Sequence, residues 1–390
     1  MIAILLPLLK TLISPWRWYL RLGLAWIILT ALTPPPPRAV LEAQQTVETT
    51  KPQVCVHTRL IDEVFEWKIQ RSLQMVREMG ADTIVEFFPW AYAEPQDGVY
   101  SWESFDRIVR HARNQGLHII ARMGLVPYWA RDDIEAQSTT LNYLPDESFG
   151  DFADFVAVFA ARYAGVIDDI IIWNEPNLSF EWGYRPVDPA GYVRLLQAVY
   201  APAHAANPNV VILAAPLAPT LEPPGSPNGL DDLLYLQAIY EAGAADYFDA
   251  LAAHTYGFTE PPEAEPGETV LNFRRVELLR DIMVKYGDGD KPVFITESGW
   301  NDNPRWTKAV RPSDRAAYTV NSYRWAEENW PWTEKLCTWV LRYPANTGTY
   351  PDNFTLITPE FEPKPVYNAL QDYARGWARS DALWLPAPGE

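Results

Sequence analysis

From about residue 50 onward the chain alternates two patterns of apolar and polar positions. Short apolar runs of strand length recur at Val54–His57, Thr83–Phe88, Leu117–Met123, Asp169–Trp173, Val210–Ala215, Leu251–His254, Val293–Thr296 and Leu336–Leu341. Between them apolar residues return every three or four positions, as in Phe105, Ile108, Val109 and Ala112, or Phe152, Phe155, Val156, Phe159, Ala160 and Tyr163. That is the period of a helix with one buried face. Asn114-Gln115-Gly116 supplies a C-cap before the strand pattern resumes at Leu117, and a last helix is predicted over Pro365–Trp377, burying Val366, Ala369, Leu370 and Tyr373. Strand-then-helix units repeated without a linker predict a single closed (β/α)8 TIM barrel over residues 46–380, of class α/β, with a short tail at 381–390. A doubly wound sheet is the structural alternative. The Pro-rich stretches Leu221–Asn228 and Glu260–Gly267 read as surface loops.

The first 45 residues stand apart. Positions 1–38 carry Lys10, Arg17, Arg21 and Arg38 and no acid, and the uncharged run Leu22–Leu32 follows Arg17 and Arg21. A basic segment followed by an apolar stretch of this length has the form of a signal peptide and is short for a spanning helix. No clean small-residue cleavage site follows the tetraproline Pro34–Pro37. Export is therefore expected, to the cell exterior or its surface, with the segment either cleaved or kept as a membrane tether. A folded amphipathic helix is disfavoured here, because Arg17, Arg21 and the prolines interrupt any apolar face.

Composition narrows the partners. A net charge of −18 argues against nucleic acid, which needs clustered Lys and Arg. Seventeen tryptophans fill cores and also suit stacking on the apolar faces of sugars. Two cysteines exclude a disulfide-built scaffold and a Cys-rich metal site. In a closed barrel the first and eighth strands are adjacent, so Cys55 and Cys337 are expected to be near neighbours. A disulfide is possible, but free thiols are expected, because adjacent parallel strands rarely offer disulfide geometry.

Chemistry in such a barrel belongs at the C-terminal ends of the strands. The fourth strand ends in Ile172-Trp173-Asn174-Glu175-Pro176-Asn177 and the seventh in Phe294-Ile295-Thr296-Glu297-Ser298-Gly299-Trp300, which places two glutamates at one rim. Two carboxyl groups so placed can flank a glycosidic bond, one ionised to attack the anomeric carbon and one protonated to serve the leaving oxygen.

These segments resemble the retaining glycoside hydrolases of clan A. Asn174-Glu175-Pro176 is similar to the clan's acid/base motif, and Thr296-Glu297-Ser298-Gly299-Trp300 to its nucleophile motif. Trp90 with Glu94 to Trp102 resembles the loop after the second strand in families such as thirty-nine, five and forty-two. Pro127-Tyr128-Trp129, His254-Thr255-Tyr256 and Lys364-Pro365-Val366-Tyr367 are similar to the third-strand loop, the sixth-strand motif and the opening of the last helix.

The resemblance implies a two-glutamate double displacement on β-linked oligo- or polysaccharides, xylosidase- or glucanase-like, with no cofactor. It makes Glu175 the acid/base and Glu297 the nucleophile, their carboxyl groups about 5–5.5 Å apart. Tyr256 and His254 would orient Glu297, and Asn174 would donate to the sugar 2-hydroxyl. Trp339 sits where the clan places a tryptophan under the sugar; Trp300 and Trp129 are further candidates for stacking, and each of the three could equally be packing. Many clan members carry an Arg on the second strand, where this chain has Glu86, and Arg122 on the third strand is the candidate substitute. Trp90, Trp102 and Glu94 read as structural. A metal-dependent barrel enzyme would want carboxylates on successive strand ends, where Arg122 and Pro216 stand instead, so no metal is expected. A non-catalytic carbohydrate-binding barrel is the remaining alternative.

Overall fold

The computed structural model describes residues 15–32, 38–131 and 140–377. The chain divides into two compact units, Met1–Val40 and Leu41–Glu390. In the first, Pro15–Leu32 forms a helix, α1, where the sequence disfavours one. Pro15 fits the first helical position, and nothing but Leu, Ala, Ile, Trp, Thr and one Gly follows Arg21 to interrupt the turns. Trp18, Leu20, Leu22, Leu24, Trp26 and Ile28 are all exposed on this helix. No helix among the described residues is long and apolar enough to cross a membrane. Pro34–Pro37 and the predicted tail at 381–390 lie outside the described residues.

In the second unit eight parallel strands close into a barrel in sequence order. They are β1 (Val54–His57), β2 (Thr83–Pro89), β3 (His118–Gly124), β4 (Asp169–Ile172), β5 (Val211–Ala214), β6 (Ala250–Tyr256), β7 (Val293–Gly299) and β8 (Thr333–Thr338). The helices that follow them in turn are α2 (Glu66–Met79), α3 (Glu103–Asn114), α4 (Phe149–Arg162), α5 (Pro189–Ala206), α6 (Asp232–Glu241), α7 (Val276–Lys285), α8 (Pro312–Asn329) and α9 (Pro365–Arg375). The eighth strand lies three residues earlier than predicted. Its first turn of sequence, Thr333-Glu334-Lys335, is polar and so escaped an apolar pattern; the Lys335 ammonium binds Asp82 at 2.9 Å at the lower rim.

Strand alternation sorts side chains between two layers. Cys55, Val85, Ile120, Ile171, Leu213, Ala252, Phe294 and Cys337 meet inside the barrel. Val56, Ile84, Ile119, Ile170, Ile212, Ala253, Ile295 and Leu336 pack in the layer under the helices. Two residues beyond Cys55, Ile120 and Ala252, the inward face carries His57, Arg122 and His254 up to the barrel mouth.

Cys55 and Cys337 are partners in the β1–β8 register. They are disulfide-bonded, with Cα atoms 4.1 Å apart, which corrects the expectation of free thiols. Being directly opposed and both on the inward face, they have their sulfurs aimed at one another. Glu86, buried on β2, accepts from the Thr58 hydroxyl and from the backbone amides of Leu60 and Ile61. It pins the loop after β1, so the residue standing where an Arg was looked for is a structural one.

Candidate active site

A cleft of about 440 Å³ opens at the C-terminal ends of the strands, with Glu175 and Glu297 in its lining. Glu175 stands three residues past the end of β4, in a backbone that bends sharply: Trp173 has φ of 79° and Glu175 has φ of 40°. Left-handed conformations at two non-glycine residues carry strain that the surroundings must hold. The hold is visible. The Glu175 amide donates to the Pro216 carbonyl, and the Asn177 side chain bonds Ala218 and Leu230 across the neighbouring loop. Glu297, by contrast, lies within β7, where the register with β6 shifts between Ala253 and His254 and sets His254 opposite Glu297.

One oxygen of each glutamate and one ring nitrogen of His254 lie within 4.8 Å of one another. His254 stands between the acids, Nδ1 2.8 Å from Glu175 and Nε2 3.7 Å from Glu297. The Tyr256 hydroxyl donates to Glu297 at 2.6 Å. Burial pushes the Glu175 carboxyl up to about 7, with Arg122 pulling the other way. Burial also raises Glu297, opposed by His254, Arg122 and the Tyr256 hydrogen bond. His254 is driven down to about 4 by burial, so its imidazole is neutral at pH 7.

The residues singled out in the sequence divide into those at the cleft and those away from it. Asn174, Arg122, Tyr256 and Trp339 line it together with the glutamates. The Arg122 guanidinium lies 4.4 Å from the Phe87 ring centre. Trp339 meets Tyr256 and Phe354 edge-on. Trp300 does not reach the cleft: it is 1% exposed, packs on Phe273 and donates its indole N–H to the Glu260 carbonyl. Trp129 is turned to the Glu94 carbonyl and packs edge-on against Trp90. For these two, packing is the reading the geometry supports.

His57 was missed. Its Nδ1 must carry the proton, because it bonds the Thr58 carbonyl, which can only accept. That leaves Nε2 as an acceptor, buried without a partner and 3.5 Å from Glu297. Its position at the end of β1, in step with Cys55, was the signal available. Glu181, Phe180, Trp306 and Tyr350 also line the cleft from loops whose course no periodicity reveals. Glu175, His254 and Glu297 have the atoms to ligate a divalent cation. The guanidinium of Arg122, whose charge acts on all three, opposes a cation there.

Comparison with known proteins agrees with this architecture. A glycoside hydrolase family profile, Glyco_hydro_42, described as beta-galactosidase, matches residues 61–132, the span holding the Trp90 and Glu94–Trp102 segments. No curated protein matches the chain. Among solved structures, a family 39 glycoside hydrolase from the gut symbiont Bacteroides cellulosilyticus WH2 aligns with a TM-score of 0.67 at 20% identity, covering 85% of this chain and 65% of that one. The chain thus spans just under two thirds of that enzyme's length. A GH5_18 protein from Streptomyces cattleya in complex with GlcNAc aligns at 0.62 and 15% identity, covering 89% and 83%. An exo-beta-1,4-mannosidase from Opitutaceae bacterium strain TAV5 aligns at 0.54 and 16% identity, covering 90% and 63%. The proteins this chain is similar to are thus glycoside hydrolases, and the likeness establishes that its fold is their (β/α)8 barrel.

Proposed function

We propose that the protein is a retaining glycoside hydrolase that cleaves β-linked oligo- or polysaccharides by double displacement. The observation that carries this reading is the pair of strand-end glutamates whose oxygens approach within 4.8 Å across one cleft. An approach this close suits a carboxylate attacking the anomeric carbon directly. Glu297 is the nucleophile, its ionised form favoured against burial by His254, Arg122 and the hydrogen bond from the Tyr256 hydroxyl. Glu175 is the acid and then the base, protonated near neutral pH because its burial outweighs the pull of Arg122. His57 Nε2 accepts from a hydroxyl of the sugar bound against Glu297, and Trp339 supplies an aromatic wall to that site.

Mutation separates the roles. Glu175→Ala should cost about 10²–10⁴-fold on substrates that need a protonated leaving group. It should cost much less in the first step on activated aryl glycosides, where the glycosyl-enzyme on Glu297 should accumulate. Azide should then give a glycosyl azide with the substrate's anomeric configuration. In Glu297→Ala, azide can attack only from the vacated face and should give the inverted anomer. NMR of the two products reads the outcome; wild-type activity in either variant removes that residue from the mechanism. We further propose export directed by the N-terminal segment, supported by its basic-then-apolar pattern and by a disulfide of the kind that persists in oxidising compartments. N-terminal sequencing of the mature protein tells cleavage from retention as a tether.

A further inference from the structure

Glu181 is an acid that the proposed reaction does not use. It lies six residues past Glu175 on the same loop and lines the same cleft. Its backbone is fixed, since the Trp173 indole N–H donates to its carbonyl and Trp182 beside it is 1% exposed. Its carboxylate accepts from the Asn142 amide at 3.0 Å. Among the described residues it has no cationic nitrogen within ion-pair distance. Burial and then the charge of Glu175 push it up to about 7, against the pull of Arg122.

Glu181 follows Glu175 on the loop after β4 and bonds Asn142 of the loop after β3, whereas Glu297 belongs to β7 across the barrel. Glu181 therefore stands on the Glu175 side of the cleft. If Glu175 protonates the leaving oxygen, that is the side on which the leaving group sits. Beside it Phe180 is 45% exposed and presents its ring to the cleft. On the same loop the buried Asn174 Oδ1 has no partner. Unpaired acceptors of this kind call for hydroxyl donors.

We propose that Glu181 and Phe180 form the leaving-group site, the carboxylate accepting hydroxyl hydrogens of a second sugar while the ring covers that sugar's apolar face. The substrate is then a di- or oligosaccharide. This inference rests on the glycosidase reading above and narrows its substrate class.

The test uses the full-length protein with 4-nitrophenyl β-glycosides of gluco, galacto, manno and xylo configuration, and with the β-1,4-linked disaccharide of whichever sugar is released. Glu181→Ala and Phe180→Ala should each lower kcat/KM on the disaccharide by about 10–100-fold, the scale of losing charge-assisted hydrogen bonds or a stacking face. On the aryl glycoside of the same sugar the loss should be at least about tenfold smaller. Glu181→Gln, which keeps the shape and one acceptor, should fall between wild type and Glu181→Ala, and melting curves identify any variant that fails to fold. Equal losses on both substrates, no loss on either, or a wild type that releases nitrophenol yet leaves the disaccharide intact would overturn the proposal alone. A wild type inactive on every glycoside would overturn the glycosidase reading with it.

Discussion

A carboxyl group that burial pushes up from the ordinary range of a glutamate to about 7 affects both catalysis and stability. For catalysis, Glu175 must carry its proton, so kcat/KM should fall about tenfold per pH unit above roughly pH 7. On the acid side the rate should fall where Glu297, itself raised by burial, takes up a proton. For stability the sign follows from proton binding. Between about 4.5 and 7 the folded state holds a proton on Glu175 that the unfolded chain has lost, so stability declines as pH rises through this window. Glu175→Gln removes the buried charge, and should therefore raise the melting temperature relative to wild type at pH 8 and change it little at pH 4. The difference is bounded at about 3 kcal/mol; scanning fluorimetry at the two pH values measures it. An equal shift at both would mean that the side chain acts through packing alone.

At the scale of elements, Trp300 shows why the sequence could place a residue on the right strand end without revealing its direction. Thr296-Glu297-Ser298-Gly299-Trp300 was legible as a motif, and Glu297 lies where the motif puts it. The indole, however, is directed by Gly257 at the end of β6: a Cβ built there falls inside the Trp300 ring. Gly257→Ala should displace the indole and lose about 1–3 kcal/mol in denaturant unfolding, as overpacked sites do. Barrel order was readable because β-strands with inward and outward apolar residues leave a period that needs no tertiary information. His57 and Arg122 were within reach of that parity, and only Arg122 was singled out, through the resemblance rather than the parity. Glu181, Phe180, Trp306 and Tyr350 were not readable, since a loop's residues reach the cleft by turns such as the left-handed Tyr184 and Phe258 rather than by any period. The disulfide was misjudged for a related reason. The rarity of such bonds between parallel neighbours is an average, and an in-register pair on the inward face is where the average does not apply.

For the molecule as a whole, the Cys55–Cys337 bond joins strands separated by 282 residues and closes the seam where β1 meets β8. Denatured protein should contain no free thiol until reductant is added, and Cys55→Ala with Cys337→Ala should lower stability by about 2–5 kcal/mol. The same bond changes what a cut in the chain can do. A protease that nicks any loop between the two cysteines produces fragments that each end in, or are bordered by, a strand of the barrel, and one crosslink still holds the first to the last. The nicked molecule should therefore run as a single species on a denaturing gel without reductant and as two with it. With β1 and β8 already fastened to each other, the barrel behaves at the seam as a closed ring, and an exposed loop such as 221–228 could be opened while these two strands stay joined.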